Sequence, residues 1–389
     1  MNLRPCLSLL SLPLLLAFPF MQNSFAQLAV SSNDNKAELI AGVNTLVRNP
    51  PPDTVSIVDM GATPPQLIAE LNAPGGWSAP PQSVAVAPDE SIALIVSSTR
   101  IDPNDPSRTI FNDEVTVVDL ESSPPQVIDT VHAGERASGI SINPAGTMAL
   151  VANRANGTVS VFRISGKLVT RLGDVQVCDY CQPSLPVFTP DGSKALVTRN
   201  ADHSISVLDI EGEDVIYNGI DISSNLGPYS IDITPDGHYA IAANIGNGPT
   251  GGVDTVSVID LQLSPPRLVN AITVGIIPEG LALSPDGNYL AVPIMNGSNL
   301  PPDTPWFHDF GILKIYKRSG INLSLVAEAE IGHWCQGVVW SNDATKLAVQ
   351  CSVEHELTLF DFNGDNLIRS GSIPVSGGPT GIRTAQEAR

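Results

Sequence analysis

"SIDITPDGHYAIAANI", Ser230 to Ile245, is two apolar runs separated by Pro235-Asp236-Gly237. Pro presets φ, Asp bonds backbone two residues on, and Gly accepts a positive φ, so the stretch reads as a β-hairpin. It recurs. "SVAVAPDESIALIVSS" from Ser83, "GISINPAGTMALVANR" from Gly139, "LPVFTPDGSKALVTRN" from Leu185, "GLALSPDGNYLAVPIM" from Gly280 and "GVVWSNDATKLAVQCS" from Gly337 align with it without a gap. A seventh copy, "LAVSSNDNKAELIAGVN" from Leu28, fits with one extra residue, and its Ser-Asn-Asp matches Ser341-Asn342-Asp343.

After each hairpin comes a third apolar run, such as "TVSIVD" ending at Asp59, "TVSVID" at Asp260 and "ELTLFD" at Asp361. A fourth follows a turn, as in "PPQLIAEL" from Pro64 and "PPRLVNAI" from Pro265. Four short antiparallel strands repeated seven times, about 45 to 56 residues apart, predict an all-β fold, a seven-bladed β-propeller in a single domain over 27–389. One blade cannot bury both faces of its sheet, so the ring must form as a whole. "PTGIRT" at 379–384 begins like "PEGLAL" at 278–283. It is a spare first strand, expected to pair with the N-terminal repeat and close the ring between the two chain ends.

The chain opens with Arg4, an apolar run broken by Pro13 and Pro19, and Ser24-Phe25-Ala26. This predicts a signal peptide over 1–26, cleaved near Ala26, and hence a periplasmic or secreted protein. Cys6 and Arg4 leave with it. Four cysteines then remain, with 19 basic against 40 acidic side chains, a net charge of −21. That acidity repels phosphate backbones and anionic lipid, so nucleic acid is not expected as a partner. No other run of about 18 apolar residues appears, so no membrane insertion is expected and the chain is read as soluble, with a monomer expected.

An even cysteine count in an exported chain favours disulfides. Cys335 and Cys351 are equidistant from Asp343 at the hairpin turn and should bond across the two strands. Cys178-Asp-Tyr-Cys181 could be a redox pair, half a zinc site or a small disulfide loop; without a thioredoxin-like pattern or a second CxxC, the loop disulfide is expected.

"LVANRANGTVSVFRI" from Leu150 and "SPDGNYLAV" from Ser284 resemble the repeat of the YVTN β-propellers, a lactonase-like architecture. The resemblance covers nearly the whole mature chain. It implies the propeller fold; relatives with this look include exported binding proteins, a periplasmic DNA binder, lactonases, and heavy chains of quinoprotein amine dehydrogenases, so function does not follow from it.

In such a ring the long insertions at 44–53, 99–113, 245–254 and 295–311 all join a second strand to a third and share one face. Long loops on one face mark a binding surface. The last insertion carries Trp306 and His308. The channel mouth on that face should be lined by residues beginning first strands (Gln82, Ser138, Ser184, Tyr229, Glu279, Gln336, Thr380) and ending second strands (Ser97, Asn153, Arg199, Asn244, Gln350). Glu279 and Arg199 are the charges among them, and His333 and Trp334 lie close by in "IGHWCQGVVWSND". The ligand candidates are therefore Asn153, Arg199, Tyr229, Asn244, Glu279, Trp306, His308, His333, Trp334 and Gln336.

The expected function is binding of a small polar ligand or a periplasmic protein on this face. One alternative is lactone hydrolysis, with Glu279 or His333 activating water and Arg199 holding an anionic substrate; another is a subunit of a periplasmic redox complex. Some propeller lactonases hold a divalent cation at the channel, and Glu279, Asn153 and Asn244 imitate that only in part, because neither predicted ring contains an Asp. No metal is expected. With no Walker loop, Gly-x-Ser-x-Gly or His-Glu-x-x-His, no cofactor is expected either.

Overall fold

The computed structural model describes residues 27–248 and 251–385; the expected leader at 1–26 lies outside them. Among the described residues there is no helix, and so none long and apolar enough to cross a membrane. Seven four-stranded antiparallel sheets form the ring. Each blade is lettered A to D from the axis outward. In blade 5 these strands are Pro228–Ile233, Tyr239–Asn244, Asp254–Asp260 and Arg267–Gly275.

Blades stack face to face, so the inner strands are covered on both sides and read as continuous apolar runs. Ile92–Val96 is buried at every position, whereas the outermost strand of the same blade, Gln126–His132, is exposed along most of its length. Seven apolar clusters fill the seven interfaces between neighbouring blades. Leu94 and Val117 of blade 2, for example, pack with Ile140 and Phe162 of blade 3. The A–B turns form as their sequence requires. Asp191, Asp236 and Asp286 each accept a hydrogen bond from the N–H two residues on, at 3.0 Å, beside glycines at φ near 68°.

Gly378–Thr384 pairs antiparallel with Leu28–Asp34, so blade 1 is closed by both chain ends. The seventh copy needs a correction. Leu28–Asp34 is strand B of blade 1, because Gly378–Thr384 occupies one edge and Thr54–Asp59 the other. The expected second strand, Ala37–Ile40, instead pairs with Val43–Leu46 in a separate ribbon within the B–C insertion, which therefore spans 35–53 rather than 44–53. Strands A and B are buried alike, so the pattern of apolar residues does not distinguish them; their partners do.

Cys335 and Cys351 face each other in the register of blade 7 and are bonded, with Cα atoms 4.0 Å apart. Cys178 and Cys181 close a short loop, also as a disulfide.

Candidate functional site

The A strands begin, and the B strands end, on the face that carries the insertions. The two sets of side chains part company there. Asn153 donates to Thr158 and Ser160 of strand C, both at 2.9 Å, while its Oδ1 accepts from Gly134 N. Asn244 donates to Thr255 at 3.1 Å and Ser257 at 2.9 Å, and accepts from Ser224. Asn33 clamps Thr54 and Ser56 in the same way. The repeated Asn is a clasp that ties strand B to strand C.

In blade 4 Arg199 stands at the clasp position. It bonds Ser206 and Asp221, and forms a close ion pair with Asp202. Gln350 reaches Ser31 of blade 1, and Ser97 donates to Gly75 O. The expectation that strand-B ends line the mouth is thus corrected for Asn153, Asn244 and Arg199: successive strand side chains point to opposite faces, and these point into the blades. Arg199 does not pair with Glu279.

The A-strand set does converge. Gln82 of blade 2 crosses the axis, accepting from Ser230 Oγ of blade 5 at 2.7 Å and donating to Leu281 O of blade 6 at 3.3 Å. It bridges the channel beneath the mouth. Around it stand Tyr229 and Glu279, and a cation that sequence reading missed, Arg154. Its guanidinium lies 5.3 Å from the Tyr229 ring centroid and donates to Ser184 Oγ at 2.6 Å and Gln182 Oε1 at 2.8 Å. Arg136, also missed, packs 5.2 Å from the centre of Phe111 and donates to Ser78.

Among the described residues neither arginine has a carboxylate within ion-pair distance. Both Nε atoms, together with Ser138 Oγ and Gln336 Oε1, are buried without a protein partner. Burial pushes the Glu279 carboxyl up to about 8 against the opposing pull of Arg154, even though its side chain keeps partial contact with the channel. Burial also raises the Tyr229 phenol to about 12, and burial with the Arg154 charge lowers Arg136. At neutral pH the mouth therefore holds two guanidiniums, a phenol and a largely protonated carboxyl. Arg154 directly follows Asn153, and Arg136 lies two residues before Ser138. Their one sequence signal is a basic residue flanking a mouth position.

The insertions pack on one another beside this mouth. Trp334 is buried with Ile276, Ile277 and Met295, and Leu39, Ile245 and Trp306 pack against the same cluster. A side chain at Gly42, at φ 76°, would run into the backbone at Leu300 and Pro301; one at Gly251, at φ 78°, would strike the Trp306 ring. Trp306 and Trp334 are thus committed to a cap. His308 donates from Nδ1 to Asn296 O at 2.9 Å, folding its own exposed loop.

His333 straps that loop to blade 7, with Nδ1 2.7 Å from Glu354 and Nε2 2.9 Å from Asp309. Burial alone would lower its pKa, but the two carboxylates together raise it. A raised histidine contributes stability that is complete below its unfolded value near 6.5 and is lost as pH rises through the folded value. His333→Gln is therefore expected to cost about 1 kcal/mol at pH 6 and less at pH 9, read as the difference between wild-type and variant melting curves. An equal loss at both pH values would refute the charged strap.

The one metal-type cluster found among the described residues, Cys335, Cys351 and Glu354, has both sulfurs spent in the disulfide.

Neither a protein-family model nor the sequence of a curated protein matches the chain. Its fold is similar to those of solved structures. A functionally unknown protein from Desulfotomaculum acetoxidans is 15% identical over 93% of this chain and 100% of that one, at a TM-score of 0.67. The periplasmic gluconolactonase of Pseudomonas aeruginosa is 15% identical, with 92% and 99% covered and a TM-score of 0.65. Hydrazine synthase from Kuenenia stuttgartiensis is 20% identical, with 80% and 91% covered and a TM-score of 0.61. At such identities the likeness is one of fold.

Proposed function

We propose that the chain is an exported, monomeric propeller of the YVTN-repeat type that binds a small anionic polar ligand at the axial mouth on the long-loop face. The observation that carries this reading is the pair Arg136 and Arg154. Two guanidiniums lie beside each other with neutral acceptors only, in a chain of formal net charge −20. Arginine presents a planar fork of donors suited to a carboxylate or phosphate, and low-dielectric walls strengthen that attraction. Tyr229, Gln336 and Ser138 would supply the hydrogen bonds that orient a sugar-like body. The leader and the acidic surface support a periplasmic or secreted setting.

Calorimetric titration with D-gluconate as the probe tests this. Saturable binding should weaken at least about tenfold in Arg154→Met, a loss of about 1.4 kcal/mol or more. Equal affinity in wild type, Arg154→Met and Arg136→Met would exclude the mouth.

A second reading, lactone hydrolysis, is favoured by Glu279 itself. A carboxylate with a pKa of about 8 beside a cation and a phenol is placed to activate water. The fold shared with a gluconolactonase agrees with this. His333 suits the role less, since both ring nitrogens are engaged. As the base must be ionised, turnover of glucono-δ-lactone should rise with pH through about 8 and fall at least about a hundredfold in Glu279→Gln; an unchanged rate in that variant would end the reading. A subunit role in a redox complex draws support from the fold likeness to hydrazine synthase, but from no residue of the site.

A further inference from the structure

The opposite end of the axis, on the face of the short A–B turns, holds a cavity of about 130 Å³. It is walled by the ends of A strands and by turn prolines, among them Phe188, Leu283, Val339, Trp340 and Pro235. Gln82 separates it from the mouth described above. Arg383 of blade 1 and Asp232 of blade 5 line it, each only 8 % exposed.

Asp232 accepts from Ile233 N at 3.1 Å and Leu283 N at 3.2 Å, capping strand edges. Its remaining link to Arg383 is an ion pair at 3.9 Å, beyond hydrogen-bond reach. Among the described residues Arg383 makes no side-chain hydrogen bond, so the five donors of its guanidinium are left to whatever enters the cavity. An arginine in that state, at the end of an apolar pocket, fits a planar acceptor that it can hold with two parallel bonds. The cavity is close in size to one of about 150 Å³ that takes a benzene ring.

We propose that this cavity is a second ligand site, for a small monocarboxylate with an apolar body of one ring or a short acyl chain. The carboxylate lies on Arg383 and the body among Phe188, Leu283, Val339 and Trp340. Asp232 holds one side of the guanidinium and leaves the other for the ligand.

The test is fluorine NMR of para-fluorobenzoate titrated with the mature protein, with para-fluorobenzamide as the neutral isostere. Benzoate should bind saturably, and the amide at least about tenfold more weakly. Arg383→Gln should lose benzoate at least about tenfold. Should that variant fail to fold, Asn342→Trp, at the exposed rim, should block access while leaving the buried pair intact. Asp232→Asn should tighten binding, because a rival carboxylate disappears. Absence of saturation, equal affinity for acid and amide, or binding unchanged in a folded Arg383→Gln or in Asn342→Trp would overturn the proposal, and loss in Arg154→Met instead would assign the binding to the mouth.

Discussion

Removing residues 378–389 is expected to abolish cooperative unfolding rather than to shorten the protein harmlessly. Gly378–Thr384 is the innermost strand of blade 1, paired from Asp34 to Ala29. Ile382, 1% exposed, belongs to the core between blades 7 and 1, and its N–H bonds Pro81 O of blade 2 at 2.8 Å. Ser352 of blade 7 also donates to Pro379 O. The strand thus touches three blades. Without it, strand B of blade 1 becomes an open edge, and the interfaces on both sides of that blade lose their inner wall.

In a repeat architecture each unit is stable through its neighbours, so breaking two adjacent interfaces costs more than the contacts of one strand. Burying Ile382 alone is worth about 2–3 kcal/mol, and overall stability is about 5–15 kcal/mol. Circular dichroism melts should lose their sharp transition, and size-exclusion profiles should shift to aggregates formed through the bare edge. A truncated chain melting within a few degrees of wild type would show that the ring does not depend on this closure.

Glu279→Gln is expected to stabilise the protein, and only above mildly acidic pH. The carboxyl ionises near 4.5 when unfolded and at about 8 when folded. Between those values the folded state holds the extra proton, so stability declines as pH rises from about 4.5 to about 8 and levels off beyond. At 1.36 kcal/mol per unit the shift is worth up to about 5 kcal/mol, reduced by whatever contact the side chain keeps with the channel. Gln retains the shape and cannot ionise. The variant should match wild type near pH 4.5 and exceed it by a few kcal/mol at pH 8.5 in chemical denaturation. Parallel curves across that range would mean that Glu279 is solvated, and the mouth would lose its neutral acid.

Much of this architecture is written in the chain. "SIDITPDGHYAIAANI" and its copies disclosed the hairpins, the number of blades and the use of "PTGIRT" as closure, because turn chemistry and strand burial are local properties. Cys335 and Cys351 were legible for the same reason: a hairpin's register follows from its turn. Leu28–Asp34 has the pattern of a first strand, and only its pairing with Gly378–Thr384, at the other end of the chain, makes it a second.

The candidate site is legible in the sequence only in part. Tyr229, Glu279 and Gln336 can be placed at the mouth from their position at the start of A strands, whereas Arg154, one residue beyond the end of a B strand, carries no such mark. One position along the chain reverses the side to which a residue points. Arg199 turned into its blade, to Asp202 and Asp221, while Arg154 turned across to Ser184 and Tyr229.

The sequence alone determined the periodic unit, its count and its closure, since each depends on hydrophobic pattern and turn residues within a few tens of positions. Tertiary structure decided which ionisable groups become neighbours. Arg154 and Glu279 come from blades 3 and 6, and Asp232 and Arg383 from blades 5 and 1. No local pattern links those pairs; they become neighbours only when the ring closes and every blade presents its inner edge to one axis.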